Sequence, residues 1–380
     1  MQKFFIKTFG CQQNVADSER LASYYMSRGF ESAKNLENAD VLILNTCVVR
    51  DRAEEKVYGM IKTLRLRLRE KSPRIVITGC LIGAAAREPS GKMIKKLTGR
   101  LPNVEFLPME EVGFEYIPVR AKGKMASIVI SNGCNNFCAF CIVPFSRGKE
   151  RSRAFVAILS EVRQAVKDGY EEVMLLGQNV NSYGADFLMD KLKEKEEYVL
   201  PDGGKVKPIM VKHLNRQRIP TLFPYLLEQI AQIPRLKKIS FMSSNPWDFS
   251  DELIDVIARH KKIDRTLHLP IQAGSSAVLK RMNRWYNKEE YLALIDKIRA
   301  RIPKIVFTTD VIVGFPGETR EQFEETIDLV KKVDFVKTFI AWYSPRPGTA
   351  ATKGMKDDIP IEEKKRRFRE LDLSAFKGKR

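Results

Sequence analysis

The chain has 380 residues, 44% hydrophobic and 30% charged, a globular composition too long for one ordinary core, so two domains are expected. No apolar run nears the roughly eighteen residues of a membrane span, and the start, Met1-Gln2-Lys3-Phe4, has no signal-peptide core. A cytoplasmic protein without a membrane partner is therefore expected. Its six cysteines should then be reduced, serving as metal ligands or catalytic groups before disulfides. The net charge of +19 points away from a small neutral substrate and toward RNA or DNA. Basic residues cluster at Lys62, Arg65, Arg67, Arg69 and Lys71, over 147–153 and over 364–369, although any one cluster also reads as a solvated helix face.

Along the chain, strands are predicted over 4–8, 41–46 and 74–79. An amphipathic helix over 17–28, capped by Asp17 or Ser18, and a second over 52–69 separate them. This βαβαβ order predicts an α/β domain over 1–118 with a parallel, flavodoxin-like or Rossmann-like sheet and right-handed crossovers. Cys11, Cys47 and Cys80 each follow the carboxyl end of a predicted strand. In an open parallel sheet those ends share one edge, where ligands bind. Buried structural cysteine is the competing reading for any single one. Three at equivalent ends favour a three-ligand iron-sulfur cluster with one iron left open.

A connector over 115–124 leads to a strand over 126–131 and then to Gly133-Cys134-Asn135-Asn136-Phe137-Cys138-Ala139-Phe140-Cys141. Three thiolates spaced C-x3-C-x2-C on one short loop can hold three corners of a [4Fe-4S] cluster and leave the fourth iron for a substrate. Phe137 and Phe140 would shield it from water. A disulfide with a spare thiol, or a zinc site short of one ligand, is the alternative. Beyond the loop, helices over 156–168, 250–259, 276–281, 288–301 and 321–332 alternate with strands over 172–176, 238–242, 266–271, 306–313 and 335–343. With the strand before the cysteine loop, these make a partial or full (β/α) barrel over 124–362, its chemistry expected at the carboxyl ends of the strands. Residues 187–220 interrupt the alternation, carry the turn signal Pro201-Asp202-Gly203-Gly204, and read as a surface insertion serving as a lid or RNA-contacting loop. A basic helix over 363–380 closes the chain.

Several segments together resemble one family. They are Lys7-Thr8-Phe9-Gly10-Cys11-Gln12-Gln13-Asn14, Leu44-Asn45-Thr46-Cys47-Val48-Val49-Arg50, Gly79-Cys80, the loop from Gly133 to Cys141, and Leu176-Gly177-Gln178-Asn179-Val180-Asn181-Ser182-Tyr183-Gly184. His268-Leu269-Pro270-Ile271-Gln272-Ala273-Gly274-Ser275 and Asp310-Val311-Ile312-Val313-Gly314-Phe315-Pro316-Gly317-Glu318-Thr319 continue the match in the same order, from residue 3 to about 370. The chain resembles the radical S-adenosylmethionine (SAM) methylthiotransferases, most closely the MiaB-type tRNA branch. The run over 176–184 carries the branch, and the segment over 141–148 also suits it.

The resemblance implies a methylthio group inserted at C2 of N6-isopentenyladenosine beside the tRNA anticodon, with two [4Fe-4S] clusters and SAM as cofactors. One SAM would methylate a sulfur on the cluster of Cys11, Cys47 and Cys80. The other would sit on the cluster of Cys134, Cys138 and Cys141 and yield the 5′-deoxyadenosyl radical, so no Ser-His-Asp arrangement is needed and His213, His260 and His268 can be the only histidines. Phe140, Gly177, Gln178, Asn179, Ser243, Ser244, Asn245, Val313, Gly314, Phe315 and Pro316 are the expected SAM contacts, with turn and capping roles as the alternative. Arg147, Arg151 and Arg153 are expected at RNA phosphate or the SAM carboxylate, with plain surface charge as the alternative. A flavodoxin or ferredoxin electron donor and a monomeric state complete the expectation. Other substrates within the family are threonylcarbamoyl-adenosine tRNA and a ribosomal-protein aspartate, and a non-catalytic Fe-S RNA-binding protein is the reading from outside it. Members normally end in a small RNA-binding β-barrel, the TRAM domain. This sequence stops near where that barrel would begin.

Overall fold

A computed structural model describes residues 1–48, 53–67, 73–189, 197–212 and 218–376. The expected helix boundaries at 52 and 69, and Val49, Arg50, Arg69, Lys71 and His213, lie outside them. The chain divides into two compact units, each α/β. The first comprises 1–123 with 132–134 and 142–149, and the second comprises 124–131, 135–141 and 150–380. The expected boundary near 118–124 thus holds for the main run, while two short segments around the cysteine loop pack with the first unit.

The first unit is a five-stranded parallel sheet, order β2-β1-β3-β4-β5, from β1 (Lys3–Thr8), β2 (Glu31–Ser32), β3 (Val41–Thr46), β4 (Arg74–Gly79) and β5 (Val104–Leu107). β3 is buried at every position, as a central strand covered on both faces must be. The helices are α1 (Gln12–Met26), α2 (Ala53–Arg67), α3 (Cys80–Arg87), α4 (Lys92–Arg100) and α5 (Val143–Arg147). The helix expected from 17 starts at Gln12, with Cys11 in extended conformation as its N-cap. Asp17 had the look of a cap. It lies inside the helix instead, fully buried, because Arg20 and Arg147 neutralise its carboxylate. β5 had too weak a pattern to be expected, being a short edge strand with no buried position.

The second unit holds β6 (Met125–Val129), β7 (Glu172–Leu176), β8 (Lys238–Phe241), β9 (Thr266–His268), β10 (Val306–Val313) and β11 (Lys337–Trp342). They pair in parallel as β6-β7-β8 and β9-β10-β11, and an isolated Ile239–Ile263 bridge ties β8 to the segment before β9. This is the expected partial barrel, and among the described residues β11 does not return to β6. One core, from Ile128 through Leu269 to Phe323, fills it. β9 is shorter than expected because Leu269 to Ile271 leave the strand while Gln272 still bridges Val311. The helix Phe223–Ala231 escaped notice because Pro224 and the charged insertion mask its start. In the insertion the helix Ala185–Met189 ends, and two antiparallel ladders follow, Tyr198–Val199 with Lys205–Val206 and Ile209–Lys212 with Arg218–Thr221.

Candidate active site

In the first unit, register aligns three strand ends. Thr8 pairs with Asn45 and Thr46 with Gly79, so the residues following β1, β3 and β4 emerge on one edge. Asn14 ties these ends together, its amide donating to Asn45 Oδ1 (3.1 Å) and the Thr46 carbonyl (3.0 Å), while Asn45 donates back to the Asn14 carbonyl (2.8 Å). Thr46 Oγ1 donates to the Thr78 carbonyl at 2.6 Å. Gly79, at φ +87°, makes the turn into α3, and a Cβ there would lie 2.4 Å from the Thr46 carbonyl oxygen. Cys47 and Cys80 are buried and Cys11 is exposed, its thiol 3.3 Å from Asn14 Oδ1. Burial pushes the Cys80 thiol up, opposed by Arg147 and reinforced by the neighbouring Cys47, Asp17 and Cys11. Three thiols and one buried guanidinium thus share this edge.

Arg147 comes from α5. Its guanidinium donates to Asp17 Oδ2 (2.8 Å) and Asn132 Oδ1 (3.0 Å). Burial opposes the charge, but Asp17 and the thiols hold the guanidinium protonated. α5 lies against α3 so closely that a Cβ on Gly83 would come within 2.0 Å of the Ser146 carbonyl oxygen.

The cysteine loop is anchored through its backbone. Cys134 N–H donates to the Gly148 carbonyl (3.1 Å), Cys141 N–H to the Cys138 carbonyl (2.9 Å), and Ala139 N–H to the Met282 carbonyl (2.9 Å). Phe137 sits at φ +46°, a conformation side chains rarely adopt, and is 48% exposed, so it covers less than expected. Phe140 meets Phe315 edge to face at 6.5 Å. Arg284 is the residue sequence reasoning missed. Buried, it donates to Cys138 Sγ (3.3 Å), Asn245 Oδ1 (3.2 Å) and the Pro270 carbonyl (3.0 Å). Its signal in the sequence was one arginine among 66 basic residues, with no motif around it.

At the strand ends of the barrel, Ser131 Oγ, Asn136 Oδ1, Asn179 Oδ1, Asn181 Oδ1 and Ser244 Oγ are buried polar atoms without a partner. Such atoms are rare in a finished core and mark a place for a polar ligand. Gly177 lets the chain pass Ser131, whose Oγ would stand 2.5 Å from an added Cβ. Ser243 and Gln272, each at φ +69°, add strain at the same ends. Val313, Phe315 and Pro316 are buried, and Gly314 turns at φ +67° against the stem of Lys364. Lys364 in turn pairs with Asp357 at 2.5 Å, and Arg367 with Glu318 at 2.8 Å. Glu318 accepts from Gly314 N–H at 2.6 Å, so the last helix (Ile361–Phe376) clamps this turn. Two buried carboxyls adjoin these loops. Burial pushes Glu150 up to about 8 and Asp248 up to about 7, the latter against Asn179, which donates to it at 2.7 Å.

Residues 128–330 match the Radical SAM superfamily, and residues 3–97 match Uncharacterized protein family UPF0004. The tRNA-2-methylthio-N(6)-dimethylallyladenosine synthase of Thermotoga petrophila is 41% identical over 387 residues, covering 97% of this chain and 80% of that one. The synthase of the same name from Carboxydothermus hydrogenoformans is 42% identical over 400 residues, covering 97% and 82%. The chain belongs to this synthase family. Its fold is shared with TsrM, a radical SAM methyltransferase from Kitasatospora setae with cobalamin and a [4Fe-4S] cluster bound (TM-score 0.61, 14% identity, 93% of this chain and 77% of that one). It is shared also with the cobalamin-dependent SAM radical enzyme OxsB (TM-score 0.53, 12% identity, 90% and 53%).

As a member of the synthase family the chain is an enzyme that uses SAM and [4Fe-4S] clusters. Its residues fit them. Each candidate donor set is three soft thiols, suited to iron-sulfur ligation, and the unpartnered Asn and Ser atoms suit the polar groups of SAM. Among the described residues no three Cys, His, Asp or Glu side chains already close on one point. Of the three arginines expected at RNA, only Arg151 is exposed. Arg147 is committed to Asp17, and Arg153 donates to the Val129 carbonyl (2.7 Å) and Glu161 (2.5 Å). The described chain contains no helix long and apolar enough to cross a membrane.

Proposed function

We propose that the chain inserts a methylthio group at C2 of N6-isopentenyladenosine in tRNA, with Cys134, Cys138 and Cys141 holding the cluster that binds SAM and Cys11, Cys47 and Cys80 holding the second. The arrangement of Cys11, Cys47 and Cys80 at three aligned strand ends, tied by Asn14 and Asn45, carries this reading. The bound cofactors supply the radical and sulfur chemistry. The chain's own residues bind and orient. Arg284 places a cation and a donor on Cys138, Arg147 places a buried cation beside Cys80, and Gly177, Gln178, Asn179, Ser244 and the turn over 313–316 offer polar and apolar contacts to SAM. Arg151 remains the arginine for RNA phosphate. Action in the cytoplasm as a monomer, with a flavodoxin or ferredoxin as electron donor, follows from the same reading.

The test is anaerobic reconstitution, then incubation with isopentenylated tRNA, SAM, sulfide and reductant, and mass spectrometry of the nucleosides. A methylthio derivative of isopentenyladenosine is expected. Modification of threonylcarbamoyl-adenosine or of a ribosomal-protein aspartate instead would reassign the substrate. Iron should amount to about eight atoms per chain, falling to roughly four when either cysteine triplet is replaced by alanine. Insensitivity to Cys11, Cys47 and Cys80 would remove the second cluster.

A further inference from the structure

The second unit contains a cavity of about 490 Å³ that none of the expected SAM contacts named from Gly177, Gln178, Ser244 or 313–316 lines. It opens between the turn after β8, the helix Lys288–Arg301 and the strand Ile209–Lys212 of the insertion, which contributes Met210 and Val211. Its size is that of a small-molecule site. Trp247, Phe249, Trp285, Tyr286 and Tyr291 make its walls aromatic. Two polar atoms of the lining residues are buried without a partner, the indole nitrogens of Trp247 and Trp285. Two donors left unmatched among aromatic rings call for a planar ligand with ring acceptors on its edge.

The pocket is braced in advance. Asp248, 2% exposed, is held by Asn179, which donates to Oδ2 at 2.7 Å. Trp247 is tilted against Tyr286, 31° between planes and 5.8 Å between centroids, and the Arg284 guanidinium sits 4.5 Å from its ring centre. The charge is also unlike that of the chain. In a protein of net +19, the lining holds Asp248, Asp251, Glu252 and Glu290 against Lys297, whose ammonium is 2.9 Å from Asp251. Asp251, Glu252 and Glu290 stand exposed at the rim, where carboxylates disfavour an entering phosphate and leave an uncharged base unaffected.

We propose that this cavity is a second ligand site of the barrel unit, taking an uncharged purine base against its tryptophans, whose indole N–H groups meet the base's ring acceptors. Purines rank before pyrimidines because they offer more stacking area. The site does not depend on the methylthiotransfer reading. The base has two possible sources, a free nucleoside or an unpaired base of bound RNA. The insertion that interrupts the barrel pattern then has a task, which is to wall this site.

The test uses the reconstituted holoenzyme saturated with SAM and kept oxidised, so that binding is read without turnover. Adenosine should quench tryptophan fluorescence, and adenosine monophosphate should bind at least about tenfold more weakly. Trp285→Ala should weaken adenosine at least about tenfold, and Trp285→Phe by less than about threefold, with SAM affinity and iron content unchanged. Should Trp285→Ala fail to fold, Met210→Trp fills the cavity from the insertion side and should abolish adenosine binding. Absence of adenosine binding to the SAM-saturated enzyme, or an affinity that neither variant moves, overturns the site. Given nucleoside binding, an RNA stem-loop with an unpaired adenosine settles the source. Parallel weakening by Trp285→Phe and Trp285→Ala assigns the base to RNA, and an unmoved stem-loop affinity assigns it to a free nucleoside.

Discussion

The Ser182 hydroxyl lies 2.6 Å from Glu150 Oε1 and 3.1 Å from the Asn179 carbonyl. With one proton it can donate to only one of them at a time, and a carboxyl that keeps its own proton completes the pair. That agrees with Glu150 being pushed up to about 8 by burial, with Asp186 and Asp248 adding repulsion and Ser182 opposing. The folded pKa exceeds the unfolded one, so between about 4.5 and 8 the unfolded chain binds fewer protons and stability falls as pH rises. Glu150→Gln should therefore match wild type at pH 5 and exceed it at pH 9, by up to about 4 kcal/mol, in urea midpoints. Equal midpoints at both values would mean the buried carboxyl does not hold its proton. Arg284 acts on a neighbour instead. A donor and a positive charge on Cys138 favour the reduced, more negative cluster, so Arg284→Met should lower its reduction potential and Arg284→Lys should fall between. An EPR-monitored redox titration reads this, and an unchanged potential at full iron content would place the guanidinium away from the sulfur.

Among the elements, α3 and α5 show how a close approach fixes a side chain at a distance. Gly83 permits contact with the Ser146 carbonyl, and Ser146 precedes Arg147. Gly83→Ala should lower the melting temperature, at a cost of about 1–3 kcal/mol, and loosen the Arg147–Asp17 pair; a variant as stable as wild type would show that α5 shifts freely. Neither glycine nor helix was legible beforehand, since packing between segments some sixty residues apart leaves no local pattern. What was legible obeyed local rules. β3 and β4 have the expected bounds because continuous apolar runs leave one reading. The helix Lys288–Arg301 has its expected bounds because the Asn287–Glu290 capping box fixes its start, and Ser276–Arg281 has them without a side-chain cap. The six cysteines stood out because thiols at regular intervals have few other uses. Arg284, Glu150 and Asp248 stayed hidden, because a buried charge announces itself only through what surrounds it.

At the scale of the whole molecule, +19 is a misleading measure of the surface offered to RNA. Arg147, Arg153, Lys364 and Arg367 are spent inside, each on a carboxylate. Arg151→Ala should reduce the salt slope of tRNA binding by about one and weaken all tRNAs alike. Arg147→Ala should leave that slope unchanged and cost stability, about 3–5 kcal/mol, because Asp17 keeps a buried charge with half its compensation. A slope that falls equally in both would put Arg147 on the RNA after all. The inward turn of Lys364 and Arg367 matters beyond this count. The final helix reads as a basic tail, yet its two buried cations grip Gly314 and Glu318 as a latch grips a door. Nicking the chain near residue 360 would leave the barrel strands intact and release that turn. Such a protein would be folded by most measures and slack where its cofactor is expected to lie.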